Sequence, residues 1–359
     1  MPLKLTTYYQ GSEIPDFPGT NTFHSKELFQ IYEETPGYTP LLIMASEDGK
    51  PVARLLAAIR KSIRMFPPAF IKRCEIYGTG EYLTAEADKE RIFGEMLEHL
   101  TTEALRNSFL IEFRNLENAM FGYKYFRSNR YFPVNWLRVR NSLHGIENTE
   151  QRFSPSRIRQ IKKGLKNGAK VDEARTVEEI REFSNMLRHL YSSRIRKHFP
   201  NIIFFQHMDT RLIHSRQAKI FIVRYKDKII GGSACIYSGN DAYLWFSGGM
   251  RKTYALQYPG ILAVWKALRD AHQNGFRHME FMDVGLPFKK HGYRDFVLRF
   301  GGKQSSTRRW FRFRWQWLND LLIKIYESDK TSACLRDQRQ PSPPFKPPPL
   351  GFKPTIPAF

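Results

Sequence analysis

Five places in the chain carry residues that could do chemistry. The first is Gln257-Tyr258-Pro259-Gly260, which opens an apolar helical stretch. Free N–H groups at a helix start attract anions, and a glycine there lets the backbone close on a phosphate. The second is Asp283, at the end of the apolar run His278–Met282. A carboxylate among apolar neighbours has a raised pKa and can serve as a base, while its structural use is to cap the following turn. The third is Tyr293, a phenol that can give up a proton or simply be a buried tyrosine with a satisfied hydroxyl. Fourth, in the run Ala242–Ser247, Tyr243 and Ser247 fall on one side and Phe246 on the other. Fifth, Lys289-Lys290-His291 with Arg294 makes a basic loop, a solvated surface or a holder of phosphate or carboxylate. His198 and His207 stand alone upstream, where histidines are usually structural. Cys74, Cys235 and Cys334 are too scattered for a metal or redox motif, and no metal is expected.

The elements that must position these residues follow in order. A strand Ala242–Ser247 leads through Gly248-Gly249 to a helix, Ile261–Asn274, closed by Gly275. A second strand, His278–Met282, follows, and Gly301-Gly302 marks a tight turn. Upstream lie a helix from about 177 to 191, a hairpin of Lys219–Arg224 and Lys228–Tyr237 about Tyr225-Lys226-Asp227, and then Ala242–Ser247. The first half repeats that order. A helix capped at Asn21 and Thr22 runs to about 33. Pro40–Ala45 and Val52–Ile59 flank a hairpin turn at Asp48-Gly49. A third strand Ala69–Ile76 stops at Gly78-Thr79-Gly80. A helix from about 88 to 106 and a strand Phe109–Phe113 follow, and Trp136–Arg140 closes the half. Residues 1–21 read as irregular lead-in.

Between the halves, Ser154 and Pro155 start a helix that Gly168 ends. Its Arg157, Arg159, Lys162, Lys163 and Lys166 form a basic surface, either solvated or facing an anionic partner. Trp310–Trp317 alternates aromatic and polar residues, which predicts a half-buried strand. The alternative is an aromatic-basic surface for bases or lipid head groups. From Thr331 periodicity fades into a proline-rich tail, expected to be extended and disordered.

At 359 residues, two domains are the prior, and 42% hydrophobic residues suffice for cores. The formal charge of +22 points to polyanions: RNA, an anionic membrane face or phosphorylated ligands. The N-terminus has no apolar signal core and no run is long enough to span a bilayer. The expectation is a soluble cytoplasmic protein, with peripheral contact to an anionic membrane open.

The second half resembles the Fem-like branch of the GNAT acyltransferase superfamily. The resemblance rests on four stretches over about 157–302. They are Ile161-Lys162-Lys163-Gly164 through Asn167-Gly168-Ala169-Lys170-Val171; Tyr191 with Phe199-Pro200; Tyr258-Pro259 opening the long helix; and Asp283-Val284-Gly285 with Tyr293, Phe296 and Phe300-Gly301-Gly302. Gln257 and Gly260 fit the superfamily's phosphate-binding helix start, whereas Leu262 stands where a small residue belongs. The first half shares only the element order.

The resemblance implies an α/β (α+β) protein of tandem GNAT-like acyl-CoA N-acyltransferase folds, with mixed, mostly antiparallel sheets flanked by helices. Its units would be residues 1–150, a catalytic 151–330 with the basic linker helix, and the tail 331–359. It implies acyl transfer to an amine in a splayed gap between Ala242–Ser247 and His278–Met282, where backbone groups hold the acyl carbonyl. In that reading Asp283, Tyr293 and Tyr243 are catalytic, with Tyr293 a proton donor to the leaving group. Gln257, Tyr258, Gly260, Phe246 and Ser247 bind the donor. The donor is acyl-CoA, favoured by Gln257 and Gly260, or aminoacyl-tRNA, favoured by the net charge and basic helix though no sustained heptads appear. The acceptor is a small-molecule or cell-envelope precursor amine. The rival outside enzymology is a degenerate transferase that binds RNA or an anionic membrane.

Overall fold

A positive-φ pair, Asp48 at 50° and Gly49 at 77°, turns the chain between two long early strands, as the Asp-Gly signal requires. The computed structural model describes residues 3–61, 72–84, 86–191 and 199–338. The first half runs β1 (Lys4–Tyr8), α1 (Lys26–Glu34), β2 (Tyr38–Glu47), β3 (Lys50–Lys61), β4 (Lys72–Tyr77), β5 (Glu81–Tyr82), α2 (Glu86–Asn107), β6 (Leu110–Arg114), α3 (Tyr123–Ser128) and β7 (Phe132–Ser142). The linker helix α4 (Pro155–Lys166) follows. The second half runs β8 (Ala169–Glu173), α5 (Val177–Leu190), α6 (Ile202–Met208), β9 (Ala218–Tyr225), β10 (Lys228–Ser238), β11 (Asp241–Gly249), α7 (Pro259–Gln273), β12 (His278–Phe281), α8 (Gly292–Leu298), β13 (Lys303–Phe313) and α9 (Gln316–Gln338).

All strands join one mostly antiparallel sheet, ordered β1-β2-β3-β4-β6-β13-β7-β12-β11-β10-β9-β8, with β5 on β3. The halves exchange strands. β13, late in the chain, lies between β6 and β7 of the first half, and β7 pairs in turn with β12. The helices cover this sheet in three cores. Leu28, Phe29 and Ile31 of α1 pack with Phe183 and Leu187 of α5 and Phe204 and Phe205 of α6. Helix α7 buries Leu262, Val264 and Leu268, and α2 buries Phe93, Met96 and Leu100. Burying each such side chain is worth about 1.5–3 kcal/mol.

The elements differ from the sequence expectation at both ends. Lys4–Tyr8 is an edge strand on β2, from Lys4↔Ser46 to Tyr8↔Leu42, not irregular lead-in. The strand expected over Trp310–Trp317 ends at Phe313, and helix α9 begins at Gln316, so Trp315 and Trp317 leave the sheet. That helix continues to Gln338, past Thr331. The proline run beyond it lies outside the described residues, as does His198.

The key local feature is where two parallel strands part. β11 and β12 pair over only four positions, from Asp241↔His278 to Leu244↔Phe281. β12 then stops while β11 continues to Gly249, still held on its other edge by β10. The corresponding pair of the first half stays closed. β4 and β6 match from Arg73↔Leu110 to Tyr77↔Arg114, and the Gly78 N–H donates to the Arg114 carbonyl at 2.9 Å. Only the second half has an open gap between these strands.

Candidate active site

Two cavities meet where β11 and β12 part. The outer one, a groove of about 960 Å³, runs along Ser247-Gly248-Gly249, the start of α7 at Tyr258–Ile261, and Gly292, Tyr293, Asp295 and Phe296 of α8. Arg157, Arg251, Lys252 and Arg299 line it. The inner one, about 650 Å³, lies between the halves. Ser247 and Tyr293 line both.

The groove is built by a close approach of backbones. A Cβ on Gly249 would stand 2.3 Å from the Gly260 nitrogen, so only glycine lets β11 touch the start of α7. A Cβ on Gly260 would meet nothing nearer than 3.7 Å. The space before Gly260 is therefore open to a ligand. Tyr258 caps α7 in the left-handed region, at φ 48°, without a side-chain cap hydrogen bond. Pro259 brings no N–H of its own, so this helix start keeps the anion-attracting character of an uncapped terminus.

The other residues expected at the donor divide. Gln257 does not line the groove; its carbonyl packs against Gly164 of α4. Leu262, the departure from the superfamily motif, is fully buried and points at Gly164. The small residue required at that contact sits on the linker helix, and Leu262 does not obstruct the groove. Phe246 lines the inner cavity instead, stacked on Trp245 with centroids 5.3 Å apart. The basic linker helix also divides. Arg157 is buried under Phe296 and Phe300, donating to the Phe296 carbonyl at 2.8 Å, and burial lowers its pKa to about 10. Arg159, Lys162, Lys163 and Lys166 are exposed.

At the junction, Tyr191 donates its hydroxyl to the Ser247 carbonyl at 3.3 Å. In an extended strand one residue's N–H and C=O share an edge, so the Ser247 N–H faces the gap as well. Burial raises the pKa of Tyr293, whose hydroxyl meets the Ser247 side chain, and raises Tyr191 to about 12. Both phenols keep their protons at neutral pH. Tyr243 is elsewhere. It is buried on β11 against Phe23, centroids 4.9 Å apart, and lines neither large cavity.

Asp283 is in the inner cavity, with the opposite electrostatics to those expected. Its side chain is 58% exposed, but to the cavity interior. Arg309 donates to one carboxylate oxygen and Arg114 to the other at 3.4 Å. Although burial alone would raise its pKa, these guanidiniums hold it well below the usual carboxylate range. An acid held that firmly ionised is no proton acceptor near neutrality, which corrects the reading of Asp283 as a raised-pKa base. Behind it lies an ion network invisible in the sequence. Arg309 reaches the fully buried Glu112 at 2.9 Å and lies 3.9 Å over the Trp136 ring. Arg114 reaches Glu112 at 3.2 Å and the Tyr77 hydroxyl at 3.0 Å. Arg73 pairs with Glu112 too.

In the sequence His291 stands out only as part of a basic loop. It lines the inner cavity, with its ring against Gly285 and a buried Nδ1 that has no hydrogen-bond partner. Burial and Arg294 lower its pKa, so it is a neutral imidazole at pH 7. Arg294 is spent on structure, donating to the carbonyls of Leu286 and Lys289 at 2.8 and 2.7 Å. His207 pairs with Glu34 at 3.0 Å away from the cavities.

The first half supplies much of the inner cavity. Tyr38, Arg60, Glu75, Tyr77, Arg114 and Trp136 all face it. The sequence points to the second half alone as the site, and its one signal for a share of the first half is the repeated element order. Among the described residues, no group of three His, Cys, Asp or Glu could hold a metal ion, and no helix is long and apolar enough to cross a membrane.

Comparison with known proteins agrees with this architecture. The family model described as an acetyltransferase (GNAT) domain matches residues 155–290. No curated protein matches. A crystal structure of FemX is similar at TM-score 0.59 and 10% identity, over 90% of this chain and 99% of that one. A tandem GNAT protein from the clavulanic acid biosynthesis pathway follows at 0.53 and 11%, over 88% and 99%. The C-terminal domain of a putative lysylphosphatidylglycerol synthetase from Agrobacterium fabrum is similar at 0.50 and 10%, over 84% and 91%. At these identities the likeness is one of fold.

Proposed function

We propose that this chain, an acyltransferase with a GNAT domain in a Fem-like tandem fold, moves an acyl group from an acyl-CoA thioester to the amine of a small molecule enclosed between its two halves. The observation that carries this is the meeting of two cavities at Ser247 and Tyr293. A donor laid in the groove, phosphates toward Arg251, Lys252 and the start of α7, would present its thioester at the gap. An acceptor in the inner cavity would meet it there. A cavity of about 650 Å³ suits a small molecule. Its aromatic walls and the ionised Asp283 suit an ammonium.

The residues then divide the work. Asp283 holds the incoming ammonium. His291 takes its proton and frees the nitrogen lone pair to attack the thioester carbonyl. The Ser247 N–H stabilises the oxyanion. As the C–N bond forms and the C–S bond breaks, Tyr293 gives its proton to the departing sulfur. The nitrogen's second proton, lost as the amide forms, passes through solvent to the Tyr293 phenolate, and the His291 proton is released to bulk solvent, so one proton leaves for each ammonium acylated.

A second reading keeps aminoacyl-tRNA as donor. It is favoured by the exposed Arg159, Lys162, Lys163 and Lys166 on the linker helix. In both readings Tyr293 donates to the leaving group, a thiolate in one and a ribose oxygen in the other. Release of free thiol from a series of acyl-CoA thioesters, assayed with a panel of amines, tests the first reading. Turnover is expected with at least one pair and a fall of about 10²-fold or more in Tyr293→Phe. Absence of thiol release across the series, with transfer from charged tRNA, would replace the donor. Undiminished turnover in Tyr293→Phe would remove that residue's role.

A further inference from the structure

The last helix turns an apolar stripe outward. Trp317, Leu321 and Ile325 recur every fourth residue, so they share one face of α9, and they are 62, 46 and 53% exposed. Trp315, 50% exposed, stacks on Trp317 with centroids 6.1 Å apart. No described segment of the chain covers them. Apolar groups clustered on a surface in this way mark an interaction site.

The surroundings of the stripe are basic at both ends. Beside Trp315 stands exposed Arg314. Phe109, edge-on to Trp315 at 5.2 Å, donates its N–H to the carbonyl of exposed Lys72. Asn319 donates to the carbonyl of exposed Arg130 at 3.2 Å. Lys324 lies along the stripe itself. At the far end, Tyr326 packs on Phe288 with centroids 5.9 Å apart, next to exposed Lys289 and Lys290. Helix α9 itself carries Asp320, Glu327, Asp329 and Asp337 beside Lys324, Lys330 and Arg336, so the positive charge around the stripe comes from the flanking Arg314, Lys72, Arg130, Lys289 and Lys290, in a chain of net charge +22.

Tryptophan and tyrosine belong at the boundary between apolar and wet phases. A helix with an exposed apolar stripe, flanked by exposed cations on neighbouring segments, lies in the plane of an anionic bilayer. We propose that this face docks the protein on a membrane containing anionic phospholipid, with Trp315 and Trp317 at the headgroup level. Charge complementarity selects this occupant over a second copy of the chain, whose matching face would carry the same positive rim. The surface reaches the candidate site, because Phe288 belongs to the same loop as Asp283 and His291. Docking does not depend on the acyl-transfer reading.

The test is co-sedimentation of the full chain with vesicles of phosphatidylcholine alone and of phosphatidylcholine with phosphatidylglycerol, alongside tryptophan emission. Binding is expected only with phosphatidylglycerol, with a blue shift in emission. A Trp317→Ala/Leu321→Ala variant should lose at least about tenfold in partitioning. Arg314→Glu/Lys324→Glu should lose a similar amount on anionic vesicles. All four side chains are exposed, so both variants should keep the wild-type circular dichroism and thermal transition. The proposal is overturned by equal partitioning of wild type and the Trp317 variant, or by no binding to anionic vesicles. It is also overturned if the same substitutions abolish a dimer or tRNA binding while vesicle binding is absent.

Discussion

Two glycines that face each other, Gly249 and Gly260, should respond oppositely to the same substitution. A Cβ on Gly249 falls 2.3 Å from the Gly260 nitrogen, 2.8 Å from its Cα and 2.9 Å from the Pro259 carbonyl carbon. All three are backbone atoms at the start of α7, so relief requires moving the helix away from β11. Overpacking of this kind costs about 1–3 kcal/mol. A Cβ on Gly260 makes only ordinary contact with the same strand, its nearest neighbour being the Gly249 nitrogen at 3.7 Å. Alanine there restrains the unfolded chain and favours the helix, for a gain between zero and about 1 kcal/mol. Gly249→Ala should therefore be about 1–4 kcal/mol less stable than Gly260→Ala, although the two differ from wild type by the same methyl group. Urea unfolding of both variants, followed by fluorescence and circular dichroism, measures the difference. Equal stabilities within about 0.5 kcal/mol would refute the close packing of β11 on this helix start, and with it the shape of the groove. The two methyl groups should also separate in binding. Gly260 lines the groove, so the added methyl of Gly260→Ala should weaken coenzyme A several-fold without loss of stability.

Other consequences follow from the same geometry. Because burial and Arg294 lower the His291 pKa, the acid limb of kcat/KM should lie below the ordinary histidine value of about 6.5. Raised Tyr293 should put the basic limb above about pH 10. His291→Gln should abolish the acid limb and lower the plateau by about 10²-fold. Glu112→Ala leaves Arg73, Arg114 and Arg309 without their shared buried carboxylate, and should destabilise the fold by about 3–5 kcal/mol in denaturant unfolding. The carboxylate of Asp283 is held ionised in the fold, so its contribution is present above the unfolded value of about 3.9 and is lost as pH falls below it. Arg309→Met should flatten that acid limb of the stability profile. Arg251→Glu with Lys252→Glu, both exposed at the groove, should weaken coenzyme A at least about tenfold at low salt, with a smaller effect at high salt.

What the sequence could reveal depended on the distance between cause and effect. The order of β11, α7 and β12 was legible because each element has a local signal: a period-two run, Pro259 at a helix start, Gly275 at its end. The splay between the strands followed from the family resemblance, and the pairing that stops at Leu244↔Phe281 has the expected form. The surroundings of Asp283 were not legible. Arg114 and Arg309 reach it only because β13 inserts between β6 and β7, a long-range exchange that no local pattern encodes. For the same reason a division at residue 150 says little about the site, whose inner cavity uses both halves. Leu262 looked like a broken motif because the sequence could not show Gly164 opposite it. Trp315 and Trp317 continued an alternating run whose hydrogen-bond partners end with β6 and β7, so the chain turns out of the sheet there.

The central claim is that the groove, as proposed, takes coenzyme A beside an acceptor cavity. Calorimetric titration of the full chain with coenzyme A, at low and moderate salt, tests it directly, with Gly260→Trp as the variant whose side chain fills the open space before the helix. The expected result is a complex of one site per chain that persists at moderate salt and is lost in Gly260→Trp, while the variant's thermal transition stays within a few degrees of wild type. No heat of binding with wild type at either salt, or equal binding by Gly260→Trp, would contradict the donor groove.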